Sequence, residues 1–243
     1  MRIRFIASMI LAGFAAFAWT LMPAAAQSIP RTADGKPDLS GYWNLPYMPN
    51  LAFGKEAEVP YTPAGAEAFK NRDAKDDPTG LCLPPGMPRI MHSPFPMAIF
   101  QTRDQIAMLF EYQRIWRIID ISGHGHNTDT GPTFMGDSIG HWEGDTLVIE
   151  TTSLNDRSWL DTTGHQHSAK LRVLERLRRT PQGIMLEETI NDPVMYSKPW
   201  THENLLKPLE ASAGLPMLLE YFCNDNNVDI QHLVGTKSGS GNQ

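Results

Sequence analysis

From Met97 onward, apolar and polar residues alternate along most of the chain. A period of two puts successive side chains on opposite faces of a strand. It predicts strands over 97–102, 105–112, 115–119, 138–141, 147–153, 170–179, 184–191 and 200–206. Arg103-Asp104, Glu143-Gly144-Asp145 and Pro181-Gln182-Gly183 supply turns between neighbours. About eight short strands with almost no helix between them predict an all-β fold, an antiparallel β-barrel or sandwich, and a closed barrel of that size can hold one small ligand. Residues 27–96 are rich in Pro and Gly and show little periodicity. They read as an arm packed on a barrel domain of residues 97–235, with 236–243 as a flexible tail. One helix stands out in the arm, with Thr62 as N-cap, Pro63 at the first helical position and Ala64 to Lys70 following.

One hairpin carries a sharper expectation. Leu171, Val173, Glu175 and Leu177 share a strand face, as do Ile184, Leu186, Glu188 and Ile190. A turn centred on Pro181-Gln182 sets Glu175 directly opposite Glu188. Facing residues of an antiparallel pair have Cβ atoms about 5 Å apart. Two carboxylates that close on an apolar face do not both ionise comfortably, so one is expected to hold a proton at neutral pH. A bulge at Gly183 is the alternative, and would part the two residues.

Charge and cysteine usage narrow the class. The chain opens with Met1-Arg2-Ile3-Arg4, an apolar run from Phe5 to Met22, and Ala24-Ala25-Ala26 before Gln27. That is the pattern of a secretory signal peptide over 1–26, and it predicts a periplasmic or secreted protein with no stable membrane insertion after cleavage. A net charge of −6 without a basic cluster argues against nucleic acid or an anionic membrane as partner. Cys82 and Cys223 are the only cysteines, and in an exported chain they are expected to form a disulfide. Closing a loop of about 140 residues is worth about 3–5 kcal/mol in the chain-entropy picture.

Candidate chemistry concentrates in histidines. His124-Gly-His126 and His165-Gln-His167 each place two imidazoles on one side of an extended segment, as an acid–base or metal site requires. Solvated loops flanking strands are the bland alternative. His126, His167, Glu175 and Glu188 are the candidate catalytic residues. Tyr112, Arg117, His165 and Trp142 are the candidate ligand-binding residues. His92, His202 and His232 have no titratable partner near them in sequence and read as structural. There is no G-x-G-x-x-G, P-loop or G-x-S-x-G, so no cofactor is expected and the chemistry reads as acid–base alone.

Four ordered motifs carry a resemblance: Pro37-Asp38-Leu39-Ser40-Gly41-Tyr42-Trp43, Cys82-Leu83-Pro84-Pro85-Gly86, His141 through Val148, and Asn191-Asp192-Pro193 through Lys198-Pro199-Trp200. On these the chain resembles a large family of exported, mostly uncharacterised bacterial proteins similar to lipocalin-like barrels. The resemblance implies histidines at His126 and His167, Ser168 after the latter, and the Glu175-Arg176 pair. Glu188 departs from the family pattern, where an apolar residue is usual. Some members are associated with cofactor-free lyases that break down lignin-derived aromatic dimers.

Three functions then compete. One is a cofactor-independent lyase or isomerase acting on an aromatic or apolar small molecule inside the barrel. Another is a non-catalytic small-molecule binding protein. The third is a metal-dependent enzyme using the two His-x-His pairs, completed by Glu175 or Asp161.

Overall fold

The structure, a computed structural model, describes residues 28–129, 131–210, 214 and 216–223. The segment read as a signal peptide, His232 and the tail lie outside the described residues. Nine strands close a barrel in chain order: β1 Gly41–Asn44, β2 Met97–Gln101, β3 Gln105–Phe110, β4 Trp116–Asp120, β5 Asp137–Glu143, β6 Thr146–Thr152, β7 Arg172–Thr180, β8 Gly183–Asn191 and β9 Trp200–Pro208. Neighbours are antiparallel except β4 and β5, which run parallel over Ile119↔Ser138 and Asp120↔Ile139. The fold is thus a closed, mainly antiparallel all-β barrel, as the alternation predicts.

Two features depart from the sequence reading. The barrel takes its first strand from the segment read as an arm, because Tyr42 and Trp43 pair with Ala98 and Met97. Four residues opening on glycine are too short for a period of two to register. The parallel step also has no local signature, since a parallel pair is joined by a long crossover rather than a turn. The crossover here, residues 121–136, shows no alternation.

The β7–β8 hairpin turns over Pro181-Gln182, and Thr180 pairs with Gly183. Gly183 has φ +155°, and a Cβ there would lie 2.0 Å from the Leu206 carbonyl oxygen of β9. The close approach of β9 therefore requires glycine at the turn. No bulge intervenes, and Glu175 faces Glu188.

The barrel is filled rather than hollow. Ile99, Met108, Ile149, Leu177 and Leu186 are among the inward residues that are fully or almost fully buried. Interlocked faces of this kind leave the site to be found at the barrel's side and end.

Outside the barrel, the helix α1 spans Pro63–Asn71. Its Thr62 cap accepts a hydrogen bond from Gly65 N at 3.1 Å. The same hydroxyl donates to Val194 O at 2.7 Å, docking α1 on the β8–β9 connection. Cys82 and Cys223 form a disulfide, with Cα atoms 5.5 Å apart. It anchors a short C-terminal strap, whose Leu219 N donates to Glu111 at 2.7 Å and whose Tyr221 packs on Phe95 and Tyr112. No helix among the described residues is long and apolar enough to cross a membrane. That observation and the disulfide are compatible with a secreted or periplasmic protein.

Candidate functional site

A row of ionisable side chains crosses the interior of β7, β8 and β9. Register aligns Glu175 with Glu188 and Glu188 with His202, so the three sit side by side on the inner face. Both carboxylates are 0 % exposed. Each has its own cationic or imidazole partners, which is how the fold accommodates two buried acids on adjacent strands.

Glu175 is paired by Arg117, which enters from β4. Arg117 Nη1 donates to Glu175 Oε1 at 3.0 Å, and Nη2 donates to Glu175 Oε2. The remaining donors reach Ser138 Oγ at 2.9 Å and Thr151 Oγ1 at 2.6 Å. Arg117, a candidate ligand-binding residue in the sequence, is thus committed to a buried carboxylate. Burial pushes the Glu175 carboxyl above the ordinary range, against the pull of Arg117.

Glu188 is held by two histidines. His92 comes from the 3-10 turn Arg89–His92 just before β2, and His202 comes from β9. Both Nε2 atoms converge on Glu188 Oε2, with His202 at 2.9 Å and His92 also in contact. The two Nε2 atoms are 3.0 Å apart. Burial alone would raise the Glu188 carboxyl, but the neighbouring His92 and His202 outweigh it and hold it down to about 2. The environments of the two glutamates thus push their acidities apart. Glu188 Oε1 and His202 Nδ1 are buried without a protein partner.

Two open spaces flank this cluster. A cleft of about 610 Å³ runs between residues 48–59 and 198–203, with Met48, Leu51, Val59, Trp200 and His202 among its walls. A smaller one of about 260 Å³ includes Met48, Arg89, His92, Phe95 and Tyr112. The first is within the range of small-molecule sites. Tyr112, expected to bind ligand, belongs to the smaller cleft, stacked on Phe95 and packed against Tyr221.

The two His-x-His pairs do not converge. His126 pairs with Asp137 at 2.6 Å and lies 3.4 Å from Glu150, both on the outward side of β5 and β6. Those residues alternate with the inward Ser138 and Thr151, so His126 is outside the barrel. His124 is exposed beside Asp120 and Ser122. Trp142 sits half-buried at the β5–β6 hairpin, with Lys36 6.0 Å from its ring, and is not among the cleft walls.

His165 and His167 are buried, in separate networks. His165 Nδ1 is 2.6 Å from Asp161 Oδ2, and its ring stacks on Tyr61 and Phe69. His167 Nε2 is 3.0 Å from Ser158 Oγ, and its Nδ1 is 3.2 Å from the Ser168 carbonyl. Nδ1 therefore donates to that carbonyl, which leaves Nε2 to accept the Ser158 hydroxyl. Burial lowers the His167 pKa below 6.5, in keeping with a neutral ring.

That shift has a stability consequence. The unfolded chain takes up a proton near pH 6.5 that the folded ring resists, so stability falls as pH drops through 6.5 toward the folded pKa. The urea midpoint is expected to be lower at pH 5.5 than at 7.5, and His167→Gln should shrink that difference. An unchanged difference in the variant would assign the pH dependence to other groups.

The residues that sequence reasoning left out are His92 and His202. His202 carries a usable signal, because Trp200, His202, Asn204 and Leu206 alternate on one face of β9. The long β8–β9 connection hides its register with Glu188. His92 has no such signal, since a 3-10 turn brings it in from the arm. No protein family, curated protein or solved structure matches the chain.

Proposed function

We propose that the protein is an exported enzyme, a lyase or isomerase, that acts on an aromatic or otherwise apolar small molecule held in the cleft beside Trp200 and His202. One observation carries this reading: an open cleft with both apolar and charged walls meets a buried ionisable cluster through the ring of His202. Met48, Leu51, Val59 and Trp200 offer a seat for an apolar body, while Lys55 and Lys198 offer cations for a carboxylate or phenolate end. Elimination and isomerisation need a proton acceptor beside the substrate and a polar group that takes up developing charge. Glu58 and Glu203 line the same cleft as acceptors, and His202 connects its wall to the buried Glu188 and His92 behind it. The filled interior disfavours a lipocalin-type binder that encloses its ligand, so the site moves from the barrel's inside to its flank.

Turnover on a panel of aromatic and apolar carbonyls, alcohols and acids tests this. Loss of an aromatic wall costs on the order of 1–2 kcal/mol of binding, so Trp200→Ala should raise KM about tenfold with a smaller effect on kcat. Saturable binding in the cleft without turnover of any compound would leave a binding protein. Turnover indifferent to Trp200→Ala would move the site elsewhere.

A further inference from the structure

We infer that His92, Glu188 and His202 form a three-ligand site for a divalent first-row transition-metal ion. The inference starts from what protons alone can do for this cluster. His92 Nε2, His202 Nε2 and Glu188 Oε2 form a triangle in which every pair is in contact, the nitrogens 3.0 Å apart and His202 2.9 Å from the oxygen. A ring nitrogen either donates or accepts, never both. If both nitrogens carry hydrogen, two donors face each other across the nitrogen–nitrogen edge. If one does, its single hydrogen has two acceptors to serve. No placement of protons turns all three edges into good hydrogen bonds. A cation seated over the triangle, out of its plane, satisfies all three lone pairs at once.

The dimensions agree. Ligand bonds of about 2.0–2.2 Å to such an ion put cis ligands about 3 Å apart, close to the two edges that meet at His202 Nε2, 3.0 and 2.9 Å. Two imidazoles and one carboxylate on one face of an ion are the donor set that suits zinc, iron, manganese or cobalt, with the opposite positions left open. The three ligands come from three elements, the turn before β2, β8 and β9, so the closed barrel holds them in place.

Two further observations point to a ligand. Glu188 Oε1 is fully buried with no protein partner, an orphan that a bidentate carboxylate or a metal-bound water would satisfy. Charge points the same way. Arg117 is committed to Glu175 through two contacts, so the Glu188 charge has no fixed cation of its own. A divalent ion reverses the sign and leaves the site one positive charge, suited to hydroxide or to the oxyanion of a substrate. The open positions have routes outward, because His202 lines the larger cleft and His92 the smaller one.

The inference deepens the proposed function by supplying its electrophile, and rests on that reading only for what the ion does, not for its binding. Full-length mature protein should be stripped with chelator, then titrated with Zn²⁺ and with Co²⁺ by calorimetry and visible absorption. One ion per chain is expected, with the Co²⁺ spectrum of a nitrogen and oxygen set. Outer-sphere partners already affect metal affinity about 10–100-fold, so removing a ligand in His202→Asn or Glu188→Gln should weaken binding by at least about 100-fold. His126→Ala, which removes the histidine beside the outer Asp137 and Glu150, should leave affinity unchanged. Near-ultraviolet circular dichroism reports whether each variant folds. No saturable uptake by the wild-type chain, or uptake abolished by His126→Ala and retained in folded His202→Asn, would overturn the site. One bound ion without turnover would sink the enzyme reading and leave this one standing; turnover by a protein that takes up no ion would do the reverse.

Discussion

Replacing Arg117 by methionine is expected to lower stability by about 3–5 kcal/mol, the cost of leaving a buried charge without its partner. Glu175 has no solvent to turn to, and Arg117 supplies both of its ion-pair contacts. Ser138 and Thr151 would lose the same partner and be left with each other at 3.0 Å. The double variant Arg117→Met/Glu175→Met should recover most of the loss, because an apolar pair of similar volume suits the surrounding core. Urea unfolding of the two variants and wild type provides the comparison. A single variant within about 1 kcal/mol of wild type would mean that Glu175 is not left as an unpaired buried charge, because it takes up a proton or meets water.

Asp161→Ala should be comparably damaging, at about 3–5 kcal/mol, since each orphaned buried donor costs about 1–3 kcal/mol and partial relaxation recovers some of the total. Five donors depend on this carboxylate. Oδ2 accepts from Leu51 N at 2.9 Å and pairs with His165 Nδ1 at 2.6 Å. Oδ1 accepts from Thr163 Oγ1, Gly164 N and His165 N. Burial would raise the Asp161 pKa, but His165 and the backbone donors outweigh it and hold it below 3.8. Its contribution is therefore present above the unfolded pKa and lost as pH falls through the folded one. Leu51 is also a wall of the larger cleft. Asp161→Ala should thus loosen ligand binding as well as the fold, and Asp161→Asn should fall short of full rescue because its amide nitrogen cannot accept at the Oδ2 position. Denaturant midpoints and KM read the two effects separately.

The barrel was legible because strands that bury one face must alternate, and turn chemistry sets the register wherever a connection is short. Pro181-Gln182-Gly183 placed Glu175 opposite Glu188 from the sequence alone. Nothing local could place His92 or His202. Imidazoles cluster in sequence at 124–126 and 165–167, but in those segments each side chain is held in a separate network. Glu188 was reached as a carboxylate beside a carboxylate. Its histidines arrive from residues 96 positions upstream and 14 downstream, separations that no periodicity encodes.

The narrow seams of the barrel have a consequence for how it comes apart. β4 and β5 share two residue pairs, and β1 and β9 share another two, Trp43↔Pro208 and Asn44↔Lys207. By backbone ladder alone the molecule is two nearly independent meanders, β1–β4 and β5–β9, each able to open as a unit of its own. Arg117 stands on β4, and its contacts lie on β5, β6 and β7. His92, just before β2, reaches β8 and β9 from the other meander. Where the ladder is thin, the two halves are thus joined by the shared apolar core and by these buried polar side chains, so the groups that carry candidate chemistry also help tie the halves together.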